Sequence, residues 1–465
     1  MDGATPTAGR VGGPARATLV RNGSVLPMGG PIRCFDPGSV LFEGGTIVAV
    51  GPVAALDADP RGASAELVDA SGHAVLPGLH NCHLHSGLLR GTAESLSLWD
   101  WLQAYVDPTH KALTPEIAAA ASLLCYAEGL LAGTTSVMDM WRHMEGSAEA
   151  AGRLGVRATL VPYVADGPYD WFESIESNRR LLESHGRSAD GRVRTWVGLE
   201  HLMYCSEECF AAAVALADEF GTGMHTHSSE STWEVGESVR RWGRRPIQVL
   251  ADRGVLGAHT VVAHCVWLDN HEIELLAQTG TAVAHCPCSN MKLASGPARV
   301  GDLRAAGVVV GLGSDGEKEN NNLDLLEEMK VASLLQKVTT LDPRVGDPWD
   351  VLQMATIDGA RALGLDSLTG SLEPGKRADV TVDLRGLHTT PTLHGPDLNV
   401  AAHLVFSSSG RDVRDVWVDG ERLVASGVPR TFDVGSVRAT AQAAAEELFE
   451  RRAVLAASGW SPPSP

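Results

Sequence analysis

His83 and His85 stand two residues apart in PGLHNCHLH, a spacing that in a β-strand turns both imidazoles to one face. Two imidazoles so placed suit a single metal ion. Alone the pair is a weak signal, because a chain with 17 histidines yields on the order of one such spacing by chance. It gains force from HTHSSE, where His227 adds a third imidazole with Glu230 just past it, and from GSDG, where Asp315 adds an oxygen ligand. Three nitrogens and one carboxylate suit Zn²⁺ or Fe²⁺ and leave a position open for water. A divalent ion lowers the pKa of that water from about 16 towards 7 and so supplies hydroxide at neutral pH. A lone buried histidine is usually a core residue bonded to a carbonyl; so many at once, all at the ends of apolar runs, argue against that for the set.

Those runs are the elements that must position the ligands. Eight β-type segments, AVLPGLHNCHLH, GTTSVMDM, RATLVPYV, RTWVGLEH, TGMHTHS, TVVAHC, TAVAHCP and VVVGLGSD, alternate with helical patterns, the texture of a parallel sheet covered by helices. Thr114 with Pro115 and Glu116, and Ser206 with Glu207 and Glu208, read as helix starts, the second helix ending at Gly221. Eight alternations predict an α/β fold, a (β/α)8 TIM-type barrel over 76–372. The active site of such a barrel lies where strands end. Here those ends hold His83 and His85, His201, His225 and His227, His264, His285 and Asp315.

Outside the barrel, 15–75 and 373–432 carry short strands with Asn-Gly and Gly-Gly turns and are predicted to build one small β-sandwich domain. Residues 1–14, rich in Gly, Ala, Pro and Thr, read as a flexible tail. Residues 433–465 read as a C-terminal helix and tail.

PGLHNCHLH, HTHSSE, VVAHC, HCPCSNMKLASG and GSDGEKENNNLD, in that order, resemble the amidohydrolase superfamily. The resemblance is to its aminohydrolase branch, with adenosylhomocysteine, guanine and cytosine deaminases and triazine hydrolases, and runs from about Ala17 to about Val424. It implies that His83, His85, His227 and Asp315 are metal ligands, Glu230 a proton carrier and His264 a partner of the water on the metal. The chemistry of the residues agrees. Asp315 can accept the proton of the attacking water, and Glu230, its pKa raised by burial, can protonate a ring nitrogen beside the amine-bearing carbon. His264 can hold the hydroxide in line or stabilise the tetrahedral oxygen. Binuclear relatives bridge two metals with a carboxylated lysine at strand four, whereas here no lysine occurs between Lys111 and Lys292. One ion is therefore expected, and deamination rather than ring-amide hydrolysis.

Trp99, Trp101 and Tyr105 fall in the segment that lids the pocket in this family, where they either stack on a flat heterocycle or pack in the core. His201 occupies the position of a substrate-contacting family histidine. Two departures bear on the substrate. His110 stands where nucleoside-deaminating relatives carry an acid for ribose hydroxyls, and Val161-Pro162-Tyr163 where they carry an arginine. Both argue against adenosylhomocysteine and ordinary adenosine nucleosides. Glu317 and Glu319, just past Asp315, either bind an amino, amidine or guanidine-like group or belong to a solvated loop. Asn322 and Asp324 read as caps of the next helix, and Ser289, Asn290 and Lys292 as a structural motif.

Composition sets the outer limits. With 44% hydrophobic and 20% charged residues the chain has an ordinary globular balance. Its net charge of −19 argues against nucleic acid and acidic membrane as partners. The first thirty residues show no signal-like apolar run, and the longest apolar helix candidate, Ile117 to Leu131, is short and carries Glu128. Eight scattered cysteines without a CxxC fit reduced thiols in a cytoplasm.

The expected protein is a homo-oligomeric, metal-dependent hydrolytic deaminase with one Zn²⁺ or Fe²⁺. Its small-molecule substrate is a nitrogen-rich heterocycle of purine, pterin, pyrimidine or cyclic amidine or guanidine type, and it releases ammonia. A triazine chlorohydrolase or alkylaminohydrolase and a one-metal cyclic amide hydrolase are the alternatives. A catalytically silent barrel is the remote one, against which the four retained ligands and Glu230 speak.

Overall fold

The computed structural model describes residues 17–462 apart from 93, 97 and 385, so the tail read over 1–14 lies outside the described residues. Eight parallel strand positions follow one another along the chain. β1 (Leu79–Leu84), β2 (Thr134–Trp141), β3 (Arg157–Pro162) and the first piece of β4 (Val193–Thr195) pair in sequence order. The second piece of β4 (Val197–Gly198) pairs with β5 (Met224–Ser228), followed by β6 (Thr260–His264), β7 (Ala282–His285) and β8 (Val310–Leu312). β2, β3, β5 and β6 are buried along their whole length, as parallel strands covered on both faces are. β8 also meets β1. The Asp315 amide donates to the His83 carbonyl at 3.0 Å, and a Cβ on Gly313 would lie 2.8 Å from that of His83, so only glycine allows this approach.

β4 is broken at Trp196, whose amide still donates to the Leu160 carbonyl at 2.9 Å while the chain crosses from β3 to β5. The two helix starts read from sequence are present. Thr114 Oγ1 accepts the Ile117 amide ahead of Pro115–Leu131, and Ser206 Oγ accepts the Cys209 amide ahead of Glu207–Phe220, which ends on Gly221 at φ 57°.

The two flanking segments share one nine-stranded sheet. His73–Pro77 from the N-terminal side pairs antiparallel with Val380–Leu384 from the C-terminal side, and Phe42 packs edge-on to Trp417 at 6.1 Å. A buried ion pair ties this sheet to the strands of the site. Arg157, at the start of β3, donates to Asp379 at 2.7 and 3.0 Å and to Asp419 at 2.6 Å. Removing Asp379 takes away two of the three bonds of the buried guanidinium and leaves it only the partly exposed Asp419. Asp379→Ala is therefore expected to destabilise the protein by about 3–5 kcal/mol, read as a lowered urea midpoint; an unchanged midpoint would refute that role.

The C-terminal helix Val434–Ala457 packs through Val437, Ala441 and Leu448. Among the described residues no helix is long and apolar enough to cross a membrane.

Candidate active site

Four side chains converge beyond the strand ends. His83 and His85 leave β1, His227 leaves β5, and Asp315 follows β8; all are buried. His264 closes β6 at φ 69° and Asp315 sits at φ 59°, left-handed turns at which the chain leaves its strand.

The hydrogen bonds behind these imidazoles fix where their protons sit. A carbonyl oxygen can only accept, so His85 Nδ1, 2.7 Å from the Met140 carbonyl, and His227 Nδ1, against the Glu200 carbonyl, must both carry hydrogen. His83 is set by a relay. The Nδ1 of His225 donates to the Val261 carbonyl at 2.8 Å, which leaves the His225 Nε2 as the acceptor for His83 Nδ1 at 2.8 Å. Burial pushes the pKa of His83, His85, His225 and His227 down, so the rings are neutral. The consequence is three Nε2 lone pairs turned into one space.

That arrangement is unfavourable without a cation. His85 Nε2 and His227 Nε2 face each other at 3.0 Å with no proton to share, and His83 Nε2 is buried without a partner. Asp315 Oδ1 adds negative charge 3.5 and 3.6 Å from the Nε2 atoms of His83 and His85. The Asp315 carboxylate is held by the Gly316 amide at 2.7 Å and Ser289 Oγ at 2.6 Å. His83, His85 and Asp315 form one group with metal-ligating reach, and His83, His227 and His264 another. Three neutral imidazoles and a carboxylate fit one divalent ion.

His225 was read from sequence only as a histidine at a strand end. It fixes the His83 tautomer, and partners of this kind typically govern metal affinity by about 10–100-fold. His225→Ala is expected to weaken zinc binding by about that factor in a chelator competition; unchanged affinity would remove the relay from the account.

Two further titratable groups, Glu230 and His264, lie beside this cluster. Glu230 Oε1 accepts from Ser295 Oγ at 3.2 Å, and its Oε2 is 3.7 Å from His264 Nε2. Burial raises the Glu230 pKa against the pull of His264. His264 Nδ1 donates to Asn290 Oδ1 at 3.0 Å, and its Nε2 lies 3.9 Å from Asp315 Oδ2. Burial works against a charge on His264, but Glu230 and Asp315 outweigh it and raise its pKa. Glu234 fixes the turn that carries Glu230, accepting the amides of Ser229 and Glu230 at 2.7 and 2.8 Å and pairing with His201 Nε2 at 3.2 Å.

A small cavity with about 40 Å³ of free space opens on the cluster. Trp99, Trp101 and His201 line it, as do Glu230, His264 and Asp315. Trp99 packs against His201 at 5.6 Å and Trp233 at 4.2 Å, so it serves both the wall and the packing behind it. Three residues considered from sequence do not line the cavity. His110 is buried edge-on to Trp141 at 5.4 Å, and burial pushes its pKa well down. Glu317 accepts the Leu89 amide at 2.9 Å and lines a separate groove with Arg438 and Phe449. Tyr105 packs under Arg452, 4.1 Å from its ring, and beside Leu448. His285 is also apart from the cluster, and burial lowers its pKa to about 3. The lining also includes Leu98, Leu102, Tyr163, Glu200, Tyr204 and Leu293, which sequence reasoning does not bring to the site, and Glu319, one of the two acids after Asp315.

Comparison with known proteins places this geometry. Residues 74–423 match the model of the Amidohydrolase family. The chain is 38% identical over 441 residues to a 5'-deoxyadenosine deaminase of Methanosarcina mazei, covering 93% of this chain and 98% of that one. It is 40% identical over 418 residues to a 5-methylthioadenosine/S-adenosylhomocysteine deaminase of Syntrophobacter fumaroxidans, covering 89% and 94%. Among solved structures, an adenosine deaminase from Xanthomonas campestris with bound zinc superposes with a TM-score of 0.88 at 32% identity, covering 94% of this chain and 100% of that one.

Proposed function

The chain belongs to the amidohydrolase family, and from that membership and the site we propose that it is a metal-dependent deaminase, removing an exocyclic amine from a nitrogen heterocycle as ammonia. The observation that carries this reading is the set of three inward Nε2 lone pairs beside Asp315. His83, His85, His227 and Asp315 would hold one divalent ion, zinc in preference to Fe²⁺. Such an ion supplies activated water at neutral pH. The chain's own residues do the rest. Glu230, its pKa raised by burial, donates to the ring nitrogen beside the amine-bearing carbon and makes that carbon electrophilic. Asp315 takes up the proton released by the attacking water. His264, oriented by Asn290, stabilises the oxygen of the tetrahedral carbon. Trp99 and Trp101 clasp the ring and keep bulk water out.

The relatives are named for deaminating adenine nucleosides, which supports an aminopurine-type ring. Their sugar-side preferences are not carried over, because His110, buried beside Trp141 and Tyr163, does not line the cavity and Val161-Pro162-Tyr163 stands where an arginine is expected. The reading takes the eight strands as a closed barrel over 76–372 and the nine-stranded sheet as a sandwich-like second domain. It places a homo-oligomer in a reducing cytoplasm, where eight cysteines outside disulfides are at home.

Ammonia release by the zinc-loaded protein from a panel of aminopurines, pterins, aminopyrimidines, aminotriazines and cyclic guanidines tests the reaction class. Release of chloride or an alkylamine instead would move the chain to the triazine hydrolases. Product without ammonia would favour cyclic amide hydrolysis.

A further inference from the structure

Two carboxylates that this mechanism does not use face the same cavity. Glu200 follows the second piece of β4, and Glu319 lies in the short helix Glu317–Asn320 after β8. Both line the cavity and both are only 4% exposed. Each has one oxygen, Oε2, that is buried and has no hydrogen-bond partner. Buried carboxylate oxygens are almost always satisfied, and leaving one bare is costly.

The surroundings are built around these groups. Lys318 Nζ holds Glu319 Oε1 at 2.9 Å. The Oε2 of Glu319 lies over Gly316, where a Cβ would stand 2.1 Å away, so any side chain at 316 would displace it. Lys318 in turn lies 5.8 Å from the ring of Trp101. Glu200 is fixed through its backbone, its amide donating to the Val164 carbonyl at 2.8 Å and its carbonyl accepting from His227. The two come from strands at opposite edges of one five-stranded sheet, with Glu230 and His264 carried by strands between them.

We propose that Glu200 and Glu319 are specificity residues, each accepting a hydrogen bond from an N–H on the substrate away from the departing amine. The substrate is then a heterocycle with donors on two further edges, of polyamino or guanidine type. A ring such as adenine, whose N3 and N7 offer only lone pairs, leaves a carboxylate bare. This rests on the deaminase reading of the same site and narrows its substrate class.

Calorimetric titration of the zinc-loaded protein with two pairs of rings tests it: 2,6,8-triaminopurine against adenine, and 2,4,6-triaminotriazine against 2-aminotriazine. In at least one pair the triamino ring is expected to bind about tenfold tighter or more. Glu200→Gln and Glu319→Gln, checked for full zinc content, are each expected to pull that ratio towards one. Equal affinities within both pairs would overturn the proposal. So would variants that weaken both members alike and preserve the ratio, because that is the mark of a structural role. If the wild type discriminates within a pair yet releases ammonia from no amine, the specificity assignment stands and the deaminase reading falls.

Discussion

Asp315→Ala is expected to reduce turnover by about 10⁴-fold or more, since on the proposed mechanism the substitution removes an ion ligand and the acceptor of the water's proton together. The structure shows why no neighbour can substitute. The Asp315 carboxylate is oriented by Gly316 and Ser289, and its Oδ1 lies within 3.6 Å of two ligand imidazoles. His264 reaches its other oxygen only at 3.9 Å. Steady-state ammonia release together with metal analysis gives the readout. The variant should lose bound metal along with activity. Turnover within tenfold of wild type would show that Asp315 is neither ligand nor base.

Glu230→Gln separates the proton chemistry from the metal. Glutamine keeps the size and the acceptor for Ser295 but has no proton to give the ring, and loss of a general acid costs about 10²–10⁴-fold. Metal content should be unchanged, because Glu230 is not one of the four convergent side chains proposed to hold the ion and its turn is held independently by Glu234. Loss of metal in this variant would recast Glu230 as part of the ion's site. Near-normal turnover would remove it from the mechanism.

The four convergent side chains are legible in the sequence because they sit at the ends of three apolar runs, His83 and His85 sharing the first, and a strand end on this type of fold has one destination. What orients them is not. His225 could be named but not assigned, since its role depends on reaching His83, 142 residues earlier in the chain. Asn290 was read as structural. Its amide holds the His264 ring across two neighbouring strand ends, a contact with no signature in either segment. Glu317 and Glu319 show the limit most plainly. They fall two apart in a four-residue helix, and residues at that spacing face different ways. Composition could flag an acidic loop but could not tell which carboxylate enters the cavity, and it is Glu319 that does. The fold had a similar limit at β4, where one apolar run became two short pieces at Trp196, which packs over Gly223, 2.4 Å from where its Cβ would lie.

The most direct test of the central claim is a zinc titration of metal-stripped protein, followed by cobalt substitution to read the ligand field. The account predicts one tightly bound ion per chain, a spectrum for three nitrogens and oxygen, and loss of that site in His227→Ala and Asp315→Ala proteins. Absence of stoichiometric binding, two equivalent ions, or a site that survives both substitutions would contradict it.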